Sequence, residues 1–435
     1  VATTRITALA LAAALTAAAL TATAAAAAPS ETERLHWIAV NGDGVLTEQH
    51  PDEPVNPASV VKAGTSLWAL DRLGPAHRYT TVVGVAGEWD RAAGVLTGDL
   101  VVDGGADPDF QWENTFLVAR ALNRAGLHTV NGRLVVRGVF WNGWEHGVEQ
   151  RVTDPDERGR RMGLRVIDSL DPRRWTAGHR QTWEGLCARR GWDPAQRPRV
   201  VVSGGVAVGG AAATVPILVH RSNPLPELLR RFNVYSNNDI IRIAEPLGDV
   251  AGLEAFLLGR LGADAGSIEL ATSSGERRNR MTVRLMARLI VELDAEAAEH
   301  GLTLDRLLPV IGCDPGPTRR MFPALAAPPL AGAVTGKTGT LTNTDGGVAV
   351  LAGTFTGADG APVVFAVAAP RAGRGLQYWR LVEQRWLMAL IDTRGGALAP
   401  PCGPPLPSSD TSAEVEILVA DPAADPPLAD HLPAE

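Results

Sequence analysis

Lysine is almost missing from this 435-residue chain: of 41 basic side chains, 39 are arginine and only two, Lys62 and Lys337, are lysine. An arginine guanidinium stays protonated at physiological pH, whereas a desolvated lysine amine can lose its proton and act as base or relay. Chemistry that needs a neutral amine is therefore confined to two positions. A GC-rich coding bias accounts for the general loss of lysine. It leaves to accident that both survivors sit in short motifs a serine acyl-transfer site would need, Ser59-Val60-Val61-Lys62 and Lys337-Thr338-Gly339.

Other scarcities close off further classes. Cys187, Cys313 and Cys402 form an odd set without C-x-x-C spacing, so at most one disulfide is possible and at least one thiol stays unpaired. The nine histidines show no H-E-x-x-H or related spacing, so a metal site has no support. There is no basic patch of the kind that binds nucleic acid. The net charge of -7 is concentrated in residues 395–435, where seven acids stand without a lysine or arginine.

No segment beyond the N-terminus is long and apolar enough to span a bilayer. Residues 1–28 read as a secretory signal: Arg5, an Ala/Leu/Thr run from Ile6 to Leu20, then small residues with an A-x-A cleavage region. The mature chain is expected to start near Ala28 or Pro29. The rival reading, an uncleaved anchor, is weakened by a run so rich in alanine and threonine. The chain is thus expected to be exported, to a periplasmic, cell-wall or extracellular site.

Along the chain, apolar stretches flanking Asn41-Gly42-Asp43-Gly44 predict a β-hairpin over Leu35 to Thr47. A helix follows Asn56-Pro57-Ala58-Ser59, with Val60, Val61, Leu67, Leu70 and Leu73 apolar and Gly74-Pro75 as its stop. Ser59 then lies at a helix start, where the macrodipole favours a developing alkoxide, with Lys62 one turn on. From about Val82 to Val215 strand-like runs and glycine turns dominate, with a helix over Thr115 to Ala125. Residues 141 to 200 lack clear periodicity. Helices are expected at Leu225 to Phe232, Ile240 to Leu261 and Thr282 to Glu299. Strands are expected at Gly347 to Phe355 and Pro362 to Ala368, and a long helix at Gln377 to Ile391. Helices between an N-terminal hairpin and C-terminal strands imply an α+β fold, an antiparallel sheet with helices on its faces. The Pro/Ala-rich acidic tail, 396–435, reads as mostly disordered.

Three short elements occur in order: Ser59-x-x-Lys62, Ser236-x-Asn238 and Lys337-Thr338-Gly339. A serine hydroxyl is a poor nucleophile until a base within reach takes its proton, and Lys62 can do so if burial and a neighbouring cation keep it neutral. Lys337 supplies that cation and a partner for a substrate carboxylate, with Thr338 and Thr340 as hydroxyl donors. Ser236 can relay a proton to the leaving amine, and Asn238 can hold a substrate amide. The backbone N–H groups of Ser59 and Thr340 would form an oxyanion hole, the latter on the strand after Gly339. Residues 331–338 also match a relaxed P-loop, but Pro323, Pro328 and Pro329 precede the motif and a strand-like segment follows it, which rejects that reading.

Together the three elements resemble the signature of the penicillin-recognising serine acyltransferases. Further stretches narrow the resemblance to the D-Ala-D-Ala carboxypeptidases/endopeptidases of the class C low-molecular-mass penicillin-binding proteins. These are Asn56 to Lys62 with Leu73-Gly74-Pro75 and Tyr79-Thr80-Thr81, the glycine-rich Gly98 to Pro108, His220-Arg221-Ser222-Asn223-Pro224-Leu225, Leu308-Pro309-Val310-Ile311-Gly312, and Gly336 to Leu341. The resemblance implies a β-lactamase/transpeptidase-like catalytic domain from 29–81 and 216–395, and a mainly β domain, 82–215, inserted after the helix that carries Lys62.

It also implies peptidoglycan stem peptides as substrate, an acyl-enzyme on Ser59 that releases terminal D-alanine, no cofactor, and inhibition by β-lactams. The chain departs from the family pattern in a short insertion, in a longer loop around Asp314 to Thr318, and at Thr272-Ser273-Ser274-Gly275, where Glu276 follows instead of a hydrophobic residue. Two alternatives stay open: a β-lactamase or esterase on the same core, and a wall-binding protein without turnover.

Overall fold

The computed structural model describes residues 31–147, 151–210, 213–373 and 375–419. Residues 1–28, expected to be a secretory signal, lie outside the described residues. β1 (His36–Asn41) and β2 (Gly44–Gln49) form the expected hairpin, closed by Asn41 opposite Gly44. A 3-10 turn, Ala58–Val60, leads into α1 (Val61–Leu73). Then come β3 (Thr80–Asp90), β4 (Val95–Gly105), α2 (Trp112–Arg124), β5 (Thr129–Val130), β6 (Leu134–Val139), α3 (Pro155–Leu170), α4 (Ala177–Arg190), β7 (Val201–Val202), β8 (Val206–Val208) and β9 (Val215–Arg221). The second half holds α5 (Leu225–Val234), α6 (Ile241–Ala244), α7 (Asp249–Arg260), α8 (Val283–Glu299) and α9 (Thr318–Met321). It closes with β10 (Val334–Leu341), β11 (Val348–Thr356), β12 (Pro362–Pro370), α10 (Leu376–Thr393) and β13 (Glu414–Ile417).

The fold is α+β. A five-stranded antiparallel sheet runs β10-β11-β12-β1-β2, so β10, which carries Lys337, is an edge strand. β11 reads as a continuous apolar run because both of its faces are covered. Val348, Val350 and Ala352 pack with Ile38, Ala366 and Ala368 against α1 and α8, while Ala349, Leu351 and Phe355 face Trp379, Trp386, Leu387 and Leu390 of α10.

The strands from β3 to β9, joined by β13, form an eight-stranded sheet with a core of its own, antiparallel from β13 through β9 and β3 to β4 and parallel from there on. The region carries α2, α3 and α4 as well as strands. α3 and α4 occupy the stretch without clear periodicity, and their signals are local. Asp154 accepts from the Glu157 N–H ahead of Pro155, and Thr176 caps α4, which Gly191 ends in a left-handed conformation.

The expectation of a mostly disordered tail fails for residues 396–419. Cys402 is disulfide-bonded to Cys313, Asp410 pairs with Arg189 at 2.7 Å, and β13 adds to the edge of β9. A covalent tie and arginine partners supplied by the folded body stabilise a segment whose own composition cannot build a core. Cys187 is free and buried. Among the described residues no helix is long and apolar enough to cross a membrane, and no cluster of three or more metal-ligating side chains occurs.

Candidate active site

The site is built where the 3-10 turn before α1 meets β10 and the loop 271–280. Asn56 shapes that turn: its Oδ1 accepts from the Ala58 N–H at 3.0 Å, and its Nδ2 donates to Arg277 O at 3.0 Å and Asp345 Oδ2 at 2.9 Å. Ala58 adopts φ +45°, an uncommon conformation for a residue with a Cβ, just before Ser59. Two glycines let the chain pass there. A Cβ on Gly275 would lie 1.9 Å from Ala58 O, and one on Gly339 2.4 Å from Pro57 O.

Lys62 is fully buried, and its Nζ has three partners: Ser59 Oγ at 2.7 Å, Asn238 Oδ1 at 2.8 Å and Ser274 O at 2.5 Å. Only the serine has a hydrogen to give. A neutral amine can therefore donate to the asparagine and the carbonyl while its lone pair receives the proton of Ser59. Burial lowers Lys62 from the ordinary lysine range to about 7, with the charge of Glu276 pulling the other way. The sequence reading gave Lys337 a share in keeping the proton off Lys62. Desolvation does that work instead, because neither nitrogen reaches water.

Lys337 is equally buried and donates to Ser236 Oγ at 2.8 Å and to Thr338 O at 2.9 Å. It lies well below the ordinary lysine range, first through burial, then through the charges of Lys62 and Arg380. Ser236, with φ +50°, follows α5, and Asn237 caps the next turn by accepting from the Asp239 N–H at 2.8 Å. The five residues expected to carry the chemistry, Ser59, Lys62, Ser236, Asn238 and Lys337, are thus joined by hydrogen bonds into two lysine-centred groups.

On β10 the backbone at Val334 and Gly336 turns outward, to Ile311 N and Pro309 O, and the two-residue alternation gives Thr338 and Thr340 the same sense. Thr338 is buried, and its side chain shares a face with the residues under α10.

Arg380, which the sequence reading missed, comes from α10 and donates to Gly339 O, Val350 O and Thr340 Oγ1 while paired with Glu383 at 2.7 Å. Burial pushes Glu383 up to about 7. A charged pair three residues apart within an otherwise apolar helical face was its only sequence signal. Thr340 accepts from Arg380 and keeps its own O–H proton for donation. Asp239 was missed too. It gathers the N–H groups of Glu145, His146 and Gly147 at 2.6, 3.2 and 3.1 Å, pinning a segment of the insertion beside Asn238.

A serine hydroxyl bonded to a buried amine, beside a second lysine on a sheet edge and ahead of a helix, is an arrangement able to support serine acyl transfer on an α+β scaffold. The sequence matches the D-Ala-D-Ala carboxypeptidase 3 (S13) family over residues 20–155 and 198–373, and the chain belongs to that family. The unmatched stretch between them holds α3 and α4.

Solved structures show the same fold. A predatory peptidoglycan endopeptidase from Bdellovibrio bacteriovorus aligns with a TM-score of 0.71 at 22% identity, covering 88% of this chain and 98% of that one. A penicillin G-acylated Bdellovibrio endopeptidase in complex with an immunity protein aligns with a TM-score of 0.67 at 22% identity over 88% and 99%. Penicillin-binding protein 4 from Haemophilus influenzae aligns with a TM-score of 0.56 at 18% identity, covering 84% of this chain and all of that one.

Proposed function

We propose that the chain is a serine D-Ala-D-Ala carboxypeptidase of peptidoglycan, with DD-endopeptidase activity as a second capacity, working through an acyl-enzyme on Ser59. The observation that carries this reading is the 2.7 Å contact between Lys62 Nζ and Ser59 Oγ, in which the amine's other two partners can only accept. Lys62 takes the hydroxyl proton as Oγ attacks the carbonyl of the penultimate D-alanine. The N–H groups of Ser59 and Thr340 stabilise the oxyanion. Ser236, held by Lys337, relays to the leaving D-alanine amine the proton that Lys62 took from Ser59, and water then releases the acyl group. Asn238 and the β10 edge from Thr338 through Gly339 to Thr340 hold the substrate. Its terminal carboxylate restores the proton of Lys337, which burial alone disfavours.

The endopeptidase capacity draws on the likeness to the Bdellovibrio enzymes. The disulfide Cys313–Cys402 suits an oxidising compartment outside the cytoplasm. We place the catalytic unit at 29–81 and 216–395 and the insertion, 82–215, across the cleft at Glu145 to Gly147.

The test is intact-protein mass spectrometry after incubation with benzylpenicillin. A stable adduct is expected on the wild type and none on Ser59→Ala, together with release of D-alanine from a stem peptide ending in D-Ala-D-Ala. Hydrolysed drug without a lasting adduct would indicate a β-lactamase. No adduct and no hydrolysis would indicate a binding protein.

Gly275→Ala tests the turn that carries Ser59. With a Cβ 1.9 Å from Ala58 O and φ +85° at the substituted position, the backbone must shift. The acylation rate is expected to fall about a hundredfold, the usual scale for a displacement near 1 Å. A rate within a factor of three of wild type in a folded variant would contradict this account of the turn.

A further inference from the structure

Glu276 is an acid of the site wall that the reaction above does not use. Its Oε2 accepts from Ser274 Oγ at 3.0 Å, and the carbonyl oxygen of that serine accepts from Lys62 Nζ at 2.5 Å. A Cβ built on Gly147 would lie 2.6 and 2.7 Å from Oε1 and Oε2 of Glu276 and 2.9 Å from Cβ of Asn238. The carboxylate therefore fills the notch that glycine leaves beside Asn238, whose Oδ1 also accepts from Lys62. Through Ser274, one residue separates this acid from the amine. Its own backbone is fixed, since Glu276 O accepts from Thr272 Oγ1 at 3.1 Å and Asn279 Nδ2 at 2.9 Å.

The charged groups around Lys62 come from every element packed on it. Lys337 on β10 is the neighbouring amine, itself lowered by burial and by the charge of Lys62. Asp239 is occupied by three backbone N–H groups and lies 3.5 Å from Arg242. Arg380 lies behind β10, held by Glu383. Arg277, next in the loop, is exposed. Glu276 is the group whose charge favours the ammonium form, against the burial that disfavours it.

We propose that Glu276 is a positioning residue that sets the pH at which Lys62 yields its proton, and through Lys62 the pH range in which Ser59 is activated. This rests on the reading of Lys62 as the base. The sign follows from charge: removing the carboxylate removes what holds the proton, so Lys62 becomes neutral, and the site competent, at lower pH.

Because the chain has only two lysines, lysine labelled with 13C at Cε gives two resonances, and Lys337→Arg identifies that of Lys62. In Glu276→Gln the Lys62 titration midpoint is expected to fall by about one pH unit. In Glu276→Asp, which keeps the charge, it should stay near wild type. The acid limb of benzylpenicillin acylation should move with the midpoint, making Glu276→Gln roughly eightfold faster than wild type at pH 5.5.

A midpoint that stays or rises in Glu276→Gln, or that falls equally in Glu276→Asp, overturns the proposal. Should Glu276→Gln not fold, Glu276→Leu carries the same expectation, and failure of both neutral variants to fold would assign the residue to the fold and overturn it as well. A wild type that is never acylated, with a Lys62 midpoint that still falls in Glu276→Gln, would remove the enzymatic reading and leave the proton assignment standing.

Discussion

Lys62→Arg is expected to lower the acylation rate of Ser59 by benzylpenicillin by about a thousandfold or more, the upper range for loss of a positioned general base. Lys337→Arg should keep a measurable fraction of the wild-type rate. The two substitutions look alike on paper and differ in what each site asks of the cation. At position 62 the nitrogen must shed its proton and present a lone pair to Ser59 Oγ, and a guanidinium stays protonated at any working pH. At position 337 a donor to Ser236 Oγ and a positive charge for a substrate carboxylate suffice, and arginine provides both.

The pH profile separates loss of the base from mere crowding. Wild-type acylation should rise through about pH 7, where buried Lys62 becomes neutral. Whatever rate Lys62→Arg retains should show no such rise, whereas Lys337→Arg should keep it. Stopped-flow acylation between pH 5 and 9 makes the comparison. Near-wild-type acylation by Lys62→Arg would end the account of why two lysines persist in a chain of arginines.

That pair of lysines was the most legible part of the molecule, for a physical reason. A catalytic side chain must be of one chemical type, so its identity shows in the sequence even where its neighbours do not. Ser59, Lys62, Ser236, Asn238 and Lys337, the residues proposed to carry the chemistry, stand in short motifs, and the structure brings them into two hydrogen-bonded groups. Arg380, Asp239 and Glu276 could not be assigned from the sequence, because each acts through contacts across long stretches of chain, such as Arg380 reaching β10 from α10. Elements with strong periodicity were equally plain: Thr282 to Glu299 was expected and Val283–Glu299 is found, with Thr282 as its cap.

α3 and α4 were hidden because their apolar faces are interrupted by arginine and glycine, such as Gly159 and Gly163, which lie against Val208 and Val206. Close approach to β8 replaces the large apolar side chains that a periodicity reading looks for. The tail was misread for the opposite reason. Its composition is that of a disordered segment, and the groups that hold it, Cys313, Arg189 and Arg231, belong to distant parts of the chain.

Breaking that tie should have the second large effect. Cys402→Ser is expected to destabilise the protein by about 2–4 kcal/mol, since the cross-link joins residues 89 apart and the entropy it removes from the unfolded chain grows with loop length. The enclosed segment contains β10, β11, β12 and α10, so the strand that carries Lys337 and the helix that carries Arg380 lie within the constrained loop. Releasing the tail also loosens the Arg231 bond to Pro407 O and the β13 pairing on β9, which lowers stability further.

Thermal unfolding of the oxidised wild type, the reduced wild type and Cys402→Ser should show the latter two together, roughly 5 °C or more below the first. Acylation at 25 °C should change little, because among the described residues no bond from the tail reaches Ser59, Lys62 or Lys337. Coincident unfolding of all three samples would mean that the non-covalent contacts of residues 396–419 alone hold the tail, with the disulfide adding nothing. A fall in acylation without a fall in stability would instead place the strap's influence on α5, which carries Arg231 and leads directly into Ser236.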